Sequence, residues 1–246
     1  MKKVLSNLIF VLLVFGFLIL SVNGAVQVFS KYDNTLVIHK NNTIEVTKSL
    51  TIKNVYTVGI VPGQIEFKVG KSTDGELNTL EISNLKVVDS YGSVIPSQIR
   101  KTKDYSVIVL DVYYPLLPGF EYSFDITYTL DYNPGGIFFK NLQVPLREST
   151  IPIEKGYFSV ELPTNYYFTY VNSDEGEGQV NKNTAKWDIK NDIPKSISFE
   201  YSYLPVKVGN YRGSYVFWIV INLILILILL FEIRKEVKRV KAQYGG

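Results

Sequence analysis

The sequence predicts an all-β ectodomain, a β-sandwich of two packed units, set between an N-terminal signal helix and one C-terminal transmembrane helix. Three observations carry this. Apolar and polar residues alternate with a period of two through the middle of the chain, turn-forming residues separate those runs, and each end holds a long apolar stretch.

At the N-terminus, "MKKVLSNLIFVLLVFGFLILSVNGAVQV" places Lys2 and Lys3 before an apolar core at 8–20 and a small residue, Gly24. That order marks residues 1–24 as a secretory signal with cleavage between Gly24 and Ala25. The core is long for a signal, and an uncleaved anchor is the alternative. Either way the basic start stays in the cytoplasm.

The run "EYSFDITYTLDY" turns Tyr122, Phe124, Ile126, Tyr128, Leu130 and Tyr132 to one side. Successive side chains of a strand point to opposite faces, so this is a long half-buried strand. "NTIEVTKSLTIKN" repeats the pattern, with Lys48 as an exception among its inward positions. In "SISFEYSY", Ile197, Phe199, Tyr201 and Tyr203 are expected inward, with Ser196, Ser198, Glu200 and Ser202 on the solvent side. Pro62-Gly63, Tyr91-Gly92, Pro118-Gly119 and Pro134-Gly135-Gly136 punctuate such runs as turns. The alternation breaks near "DYNPGGIFFKNLQVPLRESTIP", which divides a β-sandwich unit at 25–133 from a smaller β unit at 134–210. The second unit either stands alone or completes the sheets of the first.

Near the C-terminus, residues 216–231 are apolar except for Asn222. Their insertion is worth roughly 5 to 9 kcal/mol, and a transmembrane helix is predicted over 215–233. Arg234, Lys235, Lys238, Arg239 and Lys241 follow closely, so residues 234–246 form a basic cytoplasmic tail and the β ectodomain lies outside the cell membrane. This basic cluster is placed to meet anionic headgroups. Asn222 is a candidate contact to a neighbouring helix. Ile233, Val237, Val240 and Tyr244 follow a 4-3-4 spacing that lines one face if the helix continues into the tail.

Within "YPLLPGFEYSFDI", the residues Leu116, Pro118, Gly119, Tyr122 and Ile126 resemble the L-x-P-G-x-x-Y-x-x-x-V pattern of fibronectin type III and immunoglobulin-like sandwiches. That resemblance implies a tyrosine corner at Tyr122, its hydroxyl bonding to backbone a few residues upstream. The immunoglobulin disulfide and its packing tryptophan are absent. The whole order of signal, β ectodomain, single anchor and basic tail is similar to that of uncharacterised archaeal membrane-anchored surface proteins, a likeness that implies no active site.

Chemistry is sparse. The chain has one histidine, His39, and no cysteine, so zinc and disulfides are not expected, and neither a catalytic residue nor a cofactor is assigned. Asp174, Glu175 and Glu177 in "NSDEGEG" are a calcium candidate, and Asn41 in Asn41-Asn42-Thr43 is a glycosylation candidate. Between its basic ends the chain is slightly acidic, which argues against nucleic acid. The reading is a non-enzymatic, single-pass surface protein that contacts the lipid bilayer and a protein or glycan partner in the cell envelope. The alternative is an accessory subunit of a membrane complex acting through the helix and tail. A third is a surface hydrolase using paired carboxylates.

Overall fold

Strand follows strand as the alternation predicts. The computed structural model describes residues 25–70, 82–102, 105–131, 136–145, 150–173, 178–190 and 196–245. The signal segment 1–24 and the calcium candidates Asp174, Glu175 and Glu177 lie outside the described residues. The strands are β1 (Gln27–Ile38), β2 (Thr43–Asn54), β3 (Gly63–Gly70), β4 (Ile82–Asp89), β5 (Ser97–Lys101), β6 (Tyr105–Val112) and β7 (Glu121–Asp131). They continue with β8 (Phe139–Pro145), β9 (Lys155–Glu161), β10 (Tyr167–Ser173), β11 (Gln179–Asn181), β12 (Thr184–Lys190) and β13 (Ser196–Ser202). One helix, α1 (Gly213–Tyr244), follows.

A seven-stranded sheet in the order β11-β12-β9-β1-β2-β7-β4 is the largest layer. Two three-stranded sheets accompany it, β3-β6-β5 and β10-β13-β8. The body is therefore β, as expected, but its strand order is not that of an immunoglobulin or fibronectin type III sandwich. The large sheet draws strands from both sides of residue 134, because β9 pairs in parallel with β1. Gly156 opens that pairing against Tyr32, and β12 then adds antiparallel to β9.

Register explains the core. In β7, Tyr122, Phe124, Ile126, Tyr128 and Leu130 are buried, and their partners Ile52, Leu50, Lys48, Val46 and Ile44 on β2 are buried opposite them. Inward residues of all three sheets join one hydrophobic cluster, with Phe29 on β1 meeting Phe67 on β3 at 6.1 Å between ring centroids. Lys48, the exception in the alternation, does point inward: it is fully buried, opposite the equally buried Asn34, with its ammonium 6.0 Å from the Tyr32 ring centroid. On the outer face, cross-strand hydroxyl pairs tie neighbouring strands, Thr35 to Ser159 at 3.0 Å and Thr51 to Ser123 at 2.9 Å.

Helix α1 runs for 32 residues, beginning two residues before the expected span and continuing through the basic tail. At 1.5 Å per residue it is about 48 Å long, against about 30 Å of bilayer hydrocarbon. Beyond Phe217 it stands clear of the β body, with Leu227 and Phe231 about two-thirds exposed. It is long and apolar enough to cross a membrane, and a bilayer is the surface that suits it.

Candidate functional site: the joint between sheet and helix

The start of α1 lacks the devices that usually finish a helix N-terminus. Its N-cap is Arg212, with no side-chain capping bond, and its first turn contains no acidic residue. The first amides of a helix have no partner within the helix, and the end carries a partial positive charge. Here the missing acceptor comes from a strand. Glu200 on β13 is fully buried, and its Oε1 accepts the backbone N–H of Ser214 at 3.0 Å. The same oxygen accepts the Thr169 hydroxyl at 2.6 Å, and Oε2 accepts the Ser214 hydroxyl. A buried carboxylate is tolerable when donors surround it and a positive end faces it, and both conditions hold.

Local structure aims each of these groups. The β10 to β13 register shifts between Phe168 and Tyr170, and the bulge leaves Thr169 as the extra residue with its hydroxyl on Glu200. Tyr170, Glu200 and Asn141 stand directly opposite one another across β10, β13 and β8. Arg212 spans that row, its guanidinium 5.3 Å from the Tyr170 ring centroid and donating to Asn141 Oδ1 at 3.4 Å. Gly213 is buried where a Cβ would lie 2.5 Å from the Val206 carbonyl and 2.7 Å from Thr169 Cβ. No larger residue fits there. One turn later Phe217 packs on Phe139 and Phe138, with ring centroids 5.4 and 5.7 Å apart.

These contacts correct the expected facing of β13. Ile197, Phe199 and Tyr201 are buried as predicted, but Glu200 and Ser202 are fully buried too, and Tyr203 is half exposed. The physical reason is that the second face of this sheet is not solvent: the start of α1 and the segment leading to it cover it. Ser202 is satisfied there, donating to the Phe138 carbonyl at 2.6 Å and accepting the Leu204 N–H at 2.9 Å.

The other candidates are scattered. Asn222 donates to the Trp218 carbonyl of its own helix at 2.8 Å. Asn41 is exposed at the β1–β2 hairpin tip, its Oδ1 accepting the Thr43 hydroxyl at 2.8 Å. His39, at the base of the same hairpin, lies 3.5 Å from the exposed Glu45. Arg234, Lys235, Lys238, Arg239 and Lys241 all sit exposed on the last turns of α1, with Lys235 3.8 Å from Glu232 and Arg239 2.7 Å from Glu236. The Tyr122 hydroxyl donates to Asp89 Oδ2 at 3.3 Å, a side chain on β4, where the corner resemblance implies a backbone acceptor a few residues upstream. Burial first, then the Asp89 carboxylate, push that hydroxyl from 10.0 up to about 12.

On the outer face of the large sheet, a polar groove runs where β2, β1 and β9 adjoin, bordered by Lys31, Lys53, Glu121, Glu154 and Lys155. Lys31 is paired with Asp33 at 3.2 Å. Among the described residues no group of three or more His, Cys, Asp or Glu side chains is placed to hold a metal. The joint could have been suspected from one signal: Glu200 is an acid in a strand that ends shortly before an uncapped helix.

No family model matches the chain. Among solved structures, it is similar to an M1 zinc metallopeptidase from Deinococcus radiodurans, with 10% identity and a TM-score of 0.38 over 72% of this chain and 42% of that one. It is also similar to the leukotriene A4 hydrolase of Saccharomyces cerevisiae, with 12% identity and a TM-score of 0.42 over 71% of this chain and 29% of that one. The chain thus spans less than half the length of those enzymes. These neighbours correct the expectation of a non-enzymatic role: they are a peptidase and a hydrolase, and that reading is withdrawn. At such scores the likeness brings no activity, substrate or catalytic residue with it. A curated relative carries more weight: the uncharacterised protein MJ1395 of Methanocaldococcus jannaschii is 31% identical over 133 residues, covering 54% of this chain and 92% of that one. The chain belongs to the same family as that archaeal protein.

Proposed function

We propose that the protein is a membrane-mounted β module, whose joint at Glu200 holds the seven-stranded sheet at a fixed attitude and height relative to the bilayer. Helix α1 crosses the membrane with residues 234–246 on the cytoplasmic side, where the positive-inside rule puts their basic side chains. The β body then lies outside, and Asn41 at its hairpin tip is on the side where glycosylation occurs. The reading concerns placement, and it stands whether or not a reaction takes place on the sheet.

The observation that carries it is the Glu200 carboxylate, buried and bonded to both the sheet and the helix. A linker that only tethers is served by a flexible Gly/Ser-rich coil. Here the helix end of the connection is fastened: Gly213 is buried and Phe217 docks on two aromatic rings, although most of residues 203–211 are exposed. Opening the joint breaks both Ser214 bonds to that carboxylate, which favours the closed arrangement.

The chain has no cysteine, which makes site-directed spin labelling direct. With labels on Thr47→Cys in the large sheet and Leu225→Cys in α1, full-length protein in lipid nanodiscs should give one narrow distance distribution. Glu200→Ala should broaden it while the far-ultraviolet circular dichroism stays unchanged. A broad distribution in the parent chain would defeat the proposal, as would a Glu200→Ala distribution equally narrow.

A further inference from the structure

The tail of α1 carries a face that nothing among the described residues covers. Ile233, Val237, Val240 and Tyr244 are half exposed or more, although charged residues surround them. The helix runs unbroken from the membrane segment into this tail, with no Gly or Pro before Gly245, so the stripe projects about 16 Å beyond Ile233 along the helix axis. A continuous helix that crosses the bilayer cannot also lay this face along the headgroups. The geometry points to a second copy of this chain as the occupant, through a parallel coiled coil continuous with the membrane helices.

The register supports that choice. With Ile233 and Val240 at d and Val237 and Tyr244 at a, the same heptad read backwards puts Leu230, Ile226, Leu223, Ile219 and Val216 on the seam. No polar residue falls on an a or d position from Val216 to Tyr244. Asn222 falls at g, beside the seam. Lys235, Lys238 and Arg239 fall at f, b and c, on the outer side. Of the charges beside the seam, Glu236 at g stands five residues before Lys241 at e, the spacing that pairs g of one strand with e of the next, while Arg234 at e has the apolar Leu229 at its g position. A single anchor inserts every copy in the same direction, so association is parallel and this pairing occurs in both directions at once. Glu236 now holds Arg239 at 2.7 Å on its own helix, and its carboxylate has two oxygens with which to take both partners. The inference rests on the membrane placement proposed above, though not on the rigidity of the Glu200 joint.

Single cysteines introduced one at a time from position 232 to 244 of the full-length chain, oxidised in native membranes, test it. Disulfide dimers should form severalfold more at 233, 237, 240 and 244 than at 235, 238, 239 and 242. Glu236→Lys and Lys241→Glu should each lower the yield at 240, and the combined charge swap should restore it. Crosslinking without that periodicity, or a swap that fails to restore, overturns the inference. So does quenching of the stripe by headgroup-labelled lipid in place of crosslinking, which would assign the face to the bilayer. Glu200→Ala should leave the crosslinking pattern intact, so failure of the joint and failure of the coiled coil are distinguishable.

Discussion

The backbone of Gly156 on β9 passes Tyr32 on β1 so closely that a Cβ there would lie 1.9 Å from the Tyr32 carbonyl oxygen. This is the point at which the large sheet continues from β1 into β9, and onward to β12 and β11. The obstacle is backbone rather than a flexible side chain, so strand β9 itself would have to move. Gly156→Ala should therefore destabilise the β body by about 1 to 3 kcal/mol, the range for overpacking. Amide exchange should rise first in β9 and β12, and uniform exchange across the sheet would contradict this.

The joint should respond in proportion to the bonds removed. Ser214→Ala deletes the hydroxyl bond to Glu200 and leaves the helix amide bonded, a loss of about 1.5 to 3 kcal/mol for a bond to a charged group. Glu200→Ala leaves the Thr169 hydroxyl, the Ser214 hydroxyl and the Ser214 amide without their acceptor and should cost more. Limited proteolysis of detergent-solubilised protein should cut residues 203–212 fastest in Glu200→Ala and more slowly in Ser214→Ala. Equal rates in both would show that the carboxylate has no special part.

The chain's two tryptophans report on different places. Trp187 is buried in the β body, its ring tilted against Phe158 with centroids 5.7 Å apart, whereas Trp218 is 54% exposed on the second turn of α1. In a Trp187→Phe chain reconstituted into bilayers, Trp218 is the remaining fluorophore. It should be quenched more strongly by bromine placed high on the lipid acyl chain than by bromine near its end, as suits an interfacial aromatic. Equal quenching at both depths, or none, would move the membrane boundary away from the start of α1.

Tyr122 makes the β body sensitive to alkali. Its hydroxyl is raised from 10.0 to about 12, burial being the larger cause and Asp89 the next. The folded state thus holds the phenolic proton more tightly than the unfolded chain does. This contribution is complete below pH 10 and is lost as the pH rises to about 12. The Tm advantage of the parent over Tyr122→Phe should narrow across that interval. A gap that stays constant or widens would contradict the assignment.

Strands β2, β7 and much of β13 were legible because their faces differ chemically: an alternation such as Tyr122, Phe124, Ile126 against Glu121, Ser123, Asp125 records one buried face and one wet one. The same logic failed at Glu200, since a polar residue in alternation reads as solvent-facing whenever the covering element is out of view. Lys48 is an exception to the alternation, and its burial opposite Asn34 follows from the register of β1 against β2.

The sequence by itself determined the local character of the chain: apolar alternation makes strands, Pro-Gly and related pairs make turns, and a long apolar run makes a helix apolar enough to cross a membrane. Each depends on the period or composition of a few neighbouring residues. Only the tertiary structure decided that β9 joins β1 through Gly156, that the sheets share one core, and that Glu200 caps a helix fourteen residues further on. Those outcomes depend on which distant surfaces approach closely enough to exclude water and share hydrogen bonds, and no local pattern encodes that proximity.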